Sequence, residues 1–153
     1  MTPRTETLLF FAARAEHAET KIRPALASDT WVLSDRFTDA TYAYQVGGKG
    51  FSGSEVEALE TWTLGAFRPD GTVLFDLSPE VAAARRAARS GRDDRFERES
   101  AEFFARVREA YLDRAQRNPE RFLIVNAESS ADEIEREIAR WVDSLVRRKG
   151  GEA

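Results

Sequence analysis

The chain has 153 residues, 42% apolar, 33% charged and 10% aromatic, which suits one folded domain and excludes disordered, collagenous and low-complexity classes. It has no cysteine and one histidine, so disulfide scaffolds, zinc–cysteine sites, iron–sulfur clusters, cysteine nucleophiles and multi-histidine metal centres are excluded. The 23 basic and 27 acidic side chains leave a net charge of −4, which argues against a nucleic-acid partner. No apolar run approaches the ~20 residues of a membrane span. Glu6 and Arg14 interrupt the short apolar stretch where a signal peptide would have its core, so a cytoplasmic protein without a membrane partner is expected.

The first element is a helix from about Pro3 to Ala27. Thr2 is placed to cap it, Pro3 sits in its first turn, and Pro24 bends it or restarts its last turn. Leu8, Phe11, Ala15, Ala18 and Ile22 recur at helical spacing and are assigned to the core. Phe10, Arg14, His17 and Lys21 fall on the opposite side. The run 31–35 is continuously apolar until Ser34 and reads as a strand covered on both faces, as do Thr72–Leu77 and Arg121–Val125. Between the first two lie helices over about Thr38–Tyr44, ending before Gly47-Gly48-Lys49-Gly50, and about Ser54–Ala66, where Ser54 and Glu57 form a capping box. Arg68-Pro69-Asp70-Gly71 turns the chain into the second strand. Pro79 opens a further helix capped by Ser78. Two more helices follow, over about Phe96–Arg117 (Phe96, Phe103, Val107 and Tyr111 inward) and about Ala131–Arg148 (Ile134, Ile138, Trp141, Val142 and Leu145 inward). Residues 148–153 read as a disordered tail. Strands separated by helices give an α/β chain with a parallel sheet.

Three constellations can carry chemistry. Ser34-Asp35-Arg36-Phe37 follows the first strand, at the sheet edge where α/β proteins bind ligands. An Asp there can hold a metal's water, and an Arg can fork onto phosphate; the ordinary alternative is a strand-end ion pair. Arg85, Arg86, Arg89, Arg92 and Arg95 form a local basic island with Gly91 as a hinge, readable as a solvated helix face or as an arginine lid over phosphates. Thr41-Tyr42-Ala43-Tyr44-Gln45 offers an amide able to read a base edge and two rings able to pack on one, or simply packs as a helix. An aromatic at Phe10, one turn before Arg14, suits an interface between copies of the chain, a second packing layer or a planar ligand.

In this order and spacing, these segments resemble thymidylate kinase. The matching stretches are Leu9-Phe10-Phe11-Ala12-Ala13-Arg14, Ile22-Arg23-Pro24-Ala25-Leu26, Trp31-Val32-Leu33-Ser34-Asp35-Arg36-Phe37 and Ala43-Tyr44-Gln45 with the glycines after it. Further matches are Phe67-Arg68-Pro69-Asp70, Asp76-Leu77-Ser78-Pro79-Glu80 and Asp94-Arg95-Phe96-Glu97. The resemblance implies a single partial kinase domain over 1–153, a sheet of the P-loop nucleoside-monophosphate-kinase kind, and transfer of the ATP γ-phosphate to dTMP. It implies that Phe10 stacks on thymine, that Arg14 and Gln45 read the base with Thr41 and Tyr44 nearby, and that Arg36 binds the dTMP phosphate. Asp35 would serve Mg2+ through water. Arg89, Arg92 and Arg95 of a lid over about 85–96 would stabilise the transferring phosphoryl group. Ser90 stands where the bacterial enzymes carry the catalytic lid arginine, which leaves Arg89 and Arg92 to substitute. Asn126 and Ala127 would lie on the ATP side, with Asn126 where the family usually has Asp. A homodimer is also implied.

One expected segment does not occur among these 153 residues. The family carries a first strand, a G-x-x-x-x-G-K-[ST] loop and a second strand before the first matching helix. The segment Gly47-Gly48-Lys49-Gly50 is no replacement, because it follows no strand and opens no suitable helix. The sheet is therefore expected to be incomplete, and the chain alone to be inactive and either unstable or self-associating. The other readings are a different nucleotide kinase of this fold and a non-catalytic dimerisation or regulatory remnant.

Overall fold

A computed structural model of the chain describes residues 1–88 and 100–150. The chain packs as two compact units, one formed by residues 1–68 with 109–111, the other by 69–108 with 112–153.

The first unit is helical. α1 (Pro3–His17) is capped as expected, the Thr2 side chain accepting from the Thr5 N–H. It passes into a π-helical turn, π1 (Ala18–Ile22), and then α2 (Arg23–Ala27). The wide turn immediately precedes Pro24, which has no N–H to give the carbonyl four residues back. The buried stripe is Thr7, Phe11, Ala18 and Ile22, whereas Leu8 is 49% exposed. Leu8 thus leaves the predicted core. Arg14 joins the packed side instead of the polar one, because its guanidinium lies over the Phe11 ring one turn back.

Residues 31–35 form no strand. Trp31 is 70% exposed and Leu33 99%. An apolar run becomes a strand only when neighbours take up its backbone groups, and none of the described residues does so here. α3 (Thr38–Thr41) continues into a second π-helical segment, π2 (Tyr42–Gly48), which carries the helix through the glycines at which it is expected to end. α4 (Gly53–Leu64) starts after Ser52, one residue before the predicted start at Ser54. Its start has no side-chain cap, so the Ser54–Glu57 capping box does not form. It ends at Gly65, whose φ of +60° suits a residue without a Cβ.

The second unit holds the sheet. β1 (Thr72–Asp76) pairs in parallel with β2 (Phe122–Asn126), Thr72 opposite Phe122 and Asp76 opposite Asn126. Around this pair run α5 (Pro79–Ala88), α6 (Ala101–Arg117) and α7 (Ala131–Gly150). Ser100 caps α6 through the Phe103 N–H. Ser130 and Glu133 form a reciprocal capping box at α7. Phe103, Val107, Phe122 and Val125 are buried. Phe96 lies outside the described residues. Asp76 takes a bidentate pair from Arg108 at 2.6 and 2.7 Å, which ties the end of β1 to α6.

Gly71, at the entry to β1, is fixed by contact: a Cβ there would lie 2.4 Å from Trp141 Cη2 and 2.9 Å from Leu145 Cδ1. Trp141 is half-buried, whereas Trp31 and Trp62 are 70% and 85% exposed. Gly71→Ala is therefore expected to destabilise the chain by about 1–3 kcal/mol through overpacking. In a thermal melt the midpoint falls, and the blue-shifted part of the tryptophan emission moves red. The exposed apolar side chains Trp31, Leu33 and Phe75 are expected to make the chain self-associate, and Leu33→Asp to reduce this in sedimentation velocity.

Candidate functional site

The first unit gathers buried polar groups from α1, α3, π2 and α4. Arg14 Nη2 donates to the Phe37 carbonyl at 3.2 Å, and its guanidinium lies 5.4 Å from the Phe37 ring centre. Burial lowers the Arg14 guanidinium from its ordinary value, and the Glu60 and Asp39 carboxylates act in the opposite sense. Glu60 is itself buried. Its Oε2 accepts from the Tyr42 hydroxyl at 2.8 Å, and its Oε1 faces Arg68 Nε at 3.2 Å. The Phe37 ring meets Phe67 edge-on at 6.3 Å, and Arg23 covers Phe67 at 4.4 Å. The Phe37 and Phe67 rings thus lie between Arg14 and Arg23, offering each guanidinium an aromatic face.

Three polar atoms in this cluster are buried without a hydrogen-bond partner or ion pair: Arg14 Nη1, Thr38 Oγ1 and Gln45 Nε2. Thr38, Thr41 and Gln45 are all buried and follow one another at helical spacing along α3 and π2. Leaving a buried donor unpaired costs about 1–3 kcal/mol, so such atoms are a reason to look for a ligand. The π-helical backbone of π2 points the same way, since wide turns of this kind concentrate at functional sites.

Asp35 and Arg36 are exposed. Arg36 has a φ of +65°, a left-handed conformation that is uncommon away from glycine and collects at functional sites. Its Nη2 donates to the Tyr44 hydroxyl at 3.3 Å, and its guanidinium lies 5.0 Å from the Tyr44 ring centre. Tyr44 meets Tyr111 edge-on at 6.4 Å. The structure thus brings Arg36, Tyr44 and Tyr111 together, and places Arg14, Thr41 and Gln45 in the buried cluster. Phe10 lies one turn before Arg14 on α1 and is 38% exposed. Lys49, in the glycine-rich turn, is committed to an ion pair with Glu6. Glu60 and Tyr111 join the site without a signal in the sequence, whereas Phe37 belongs to the Ser34-Asp35-Arg36-Phe37 segment that points to it.

In the second unit, the β2–α7 loop is closely held. The Ala127 N–H donates to the Asp76 carbonyl at 2.8 Å, and the Ala127 carbonyl accepts from Arg85 Nη2 at 3.1 Å. Asn126 Oδ1 accepts from the Glu128 N–H at 2.9 Å, and Glu128 Oε1 accepts from the Ser78 N–H at 3.2 Å. Arg89, Arg92 and Arg95 lie outside the described residues. No group of three or more metal-ligating side chains occurs among the described residues. No helix there is long and apolar enough to cross a membrane.

The thymidylate kinase family model matches residues 1–138. The chain belongs to the thymidylate kinase family. It is 52% identical over 145 residues to the thymidylate kinase of Burkholderia cenocepacia, covering 95% of this chain and 70% of that protein. The Pseudomonas putida thymidylate kinase is 52% identical over 151 residues, covering 99% of this chain and 71% of that protein. The crystal structure of the Ehrlichia chaffeensis thymidylate kinase superposes with a TM-score of 0.64 at 30% identity. The match covers 82% of this chain and 59% of that one. Thymidylate kinase homology therefore extends across both units, and the expected α/β class holds.

Burial raises the Tyr111 phenol well above its ordinary value, with Tyr44 adding to the shift. Above about pH 10 the unfolded chain releases this proton while the folded chain keeps it, so stability falls as pH rises. In a 295 nm titration, the Tyr111 contribution is expected to appear only as the chain unfolds. Tyr111→Phe removes that late component.

Proposed function

We infer that this chain supplies the acceptor side of a dTMP kinase, the enzyme that transfers the γ-phosphate of ATP to dTMP to give dTDP. The observation that carries the reading is the pair of buried, unpartnered donors Arg14 Nη1 and Gln45 Nε2 in a thymidylate kinase chain. Thymine presents carbonyl acceptors to such donors, whereas cytosine presents an amine where thymine has O4. Thr41 and Tyr44 precede Gln45 in the chain, and Phe10, one turn before Arg14, supplies a ring for stacking. Arg36, with its strained backbone and exposed fork, takes the dTMP phosphate.

Asp35 is the residue to hold a water of Mg2+. An exposed carboxylate next in sequence to the arginine assigned to phosphate suits an ion that keeps its waters and leans on substrate phosphates. When bound with ATP, the ion neutralises charge on the phosphates. Arg89, Arg92 and Arg95 are assigned to the transferring group, and Asn126 and Ala127 to the ATP side. The exposed apolar face of α1, with Leu8 and Leu9 at 49% and 54%, suits a homodimer in the cytoplasm. The 153 residues contain no G-x-x-x-x-G-K-[ST] sequence, so these residues alone are expected to bind dTMP with little turnover.

Calorimetric titration with dTMP and dGMP tests the reading. dTMP is expected to bind with clear preference, and Arg14→Ala and Gln45→Ala each to weaken it about ten- to hundredfold. Equal binding of dGMP, or no change in either variant, contradicts the assignment.

A further inference from the structure

The two donors assigned to the base come from different elements, Arg14 from α1 and Gln45 from π2. Their separation must be set by something that ties those elements together. Lys49 Nζ pairs with Glu6 Oε2, and the two side chains are 17% and 4% exposed. Glu6 lies on α1 two turns before Arg14, about 12 Å along one rigid helix. On the other side, Lys49 closes the turn after Gln45. The Lys49 N–H donates to the Tyr44 carbonyl at 3.0 Å, the Gly50 N–H to the Val46 carbonyl at 3.0 Å, and the Phe51 N–H to the Gln45 carbonyl at 2.9 Å. Where Lys49 is held, Gln45 is held too.

We propose that the buried Glu6–Lys49 ion pair is a positioning device that fixes Gln45 relative to Arg14 and thereby sets the base selectivity of the site. The proposal rests on the reading of Arg14 and Gln45 as base-contacting groups. The physical reason is directional. A largely buried ammonium and carboxylate are strongly disfavoured apart, so the pair tolerates little displacement of π2 along α1. Hydrogen-bond discrimination between bases is lost with displacements of about 1 Å. A general stabilising role would lower the melting temperature and leave the ratio of base affinities unchanged.

The test is calorimetry of the 153-residue chain with dTMP and dCMP, which share sugar and phosphate and differ at the base edge. Wild type is measured first, and a lack of preference for dTMP overturns the base-contact reading itself. With that preference established, Lys49→Met and Glu6→Gln are expected to narrow the dTMP-to-dCMP ratio about tenfold. The exchanged pair Glu6→Lys with Lys49→Glu is expected to restore most of it. Folded variants, checked by circular dichroism, that keep the wild-type ratio overturn the positioning role and leave the site reading intact. If the neutral variants do not fold, Lys49→Arg decides: it keeps the charge but changes the reach. A ratio narrowed more than about threefold supports the proposal, and an unchanged ratio overturns it.

Discussion

A guanidinium is costly to take out of water, and α1 takes Arg14 most of the way. The charge is tolerable only because Glu60 and Asp39 stand near it, Phe37 accepts one of its hydrogen bonds, and Phe11 and Phe37 offer ring faces. Each helper needs its own support. Glu60 is oriented by Tyr42 and Arg68, and the Phe67 ring against Phe37 is covered in turn by Arg23. Much of the first unit can thus be traced from one half-buried cation. What the protein groups do not satisfy is Arg14 Nη1, and that remainder is where function enters.

The second unit has a different logic. Its two parallel strands are short, and their carboxyl ends are stitched by polar contacts more than by a large apolar core. Arg108 clamps Asp76, Ala127 bonds to Asp76 and Arg85, and Glu128 bonds to Ser78. The Glu128 carboxyl is held below the usual carboxylate range by its bond from Ser78. These bonds join the loops after β1 and β2, and the start of α5, into one local network. A network of this kind shapes a loop edge of the sort α/β proteins use for ligands.

The long helices, both observed strands and the Thr2 cap were legible because they rest on local signals: periodicity, continuous apolar runs and capping chemistry. The run 31–35 misled because Trp31-Val32-Leu33 has strand composition, while strand formation depends on neighbours a local pattern does not contain. The side of Arg14 misled because polarity placed it outward, whereas Phe11 and Phe37 cover its guanidinium and Glu60 offsets its charge. The π-helical backbone at Gln45 has no composition signature. The Glu6–Lys49 pair joins residues 43 apart in sequence, beyond any helical spacing. Arg36 and Tyr44, which meet in the structure, stand close together in the sequence, in the short stretch that the sequence reading singles out.

Two buried donors left open for a nucleobase should be filled when the nucleotide binds, and a crystal structure of this chain with dTMP shows whether they are. Thymine carbonyl oxygens are expected within about 2.7–3.2 Å of Arg14 Nη1 and Gln45 Nε2. A nucleotide seated elsewhere, with those two atoms still unpaired or bonded to protein groups, would contradict this expectation.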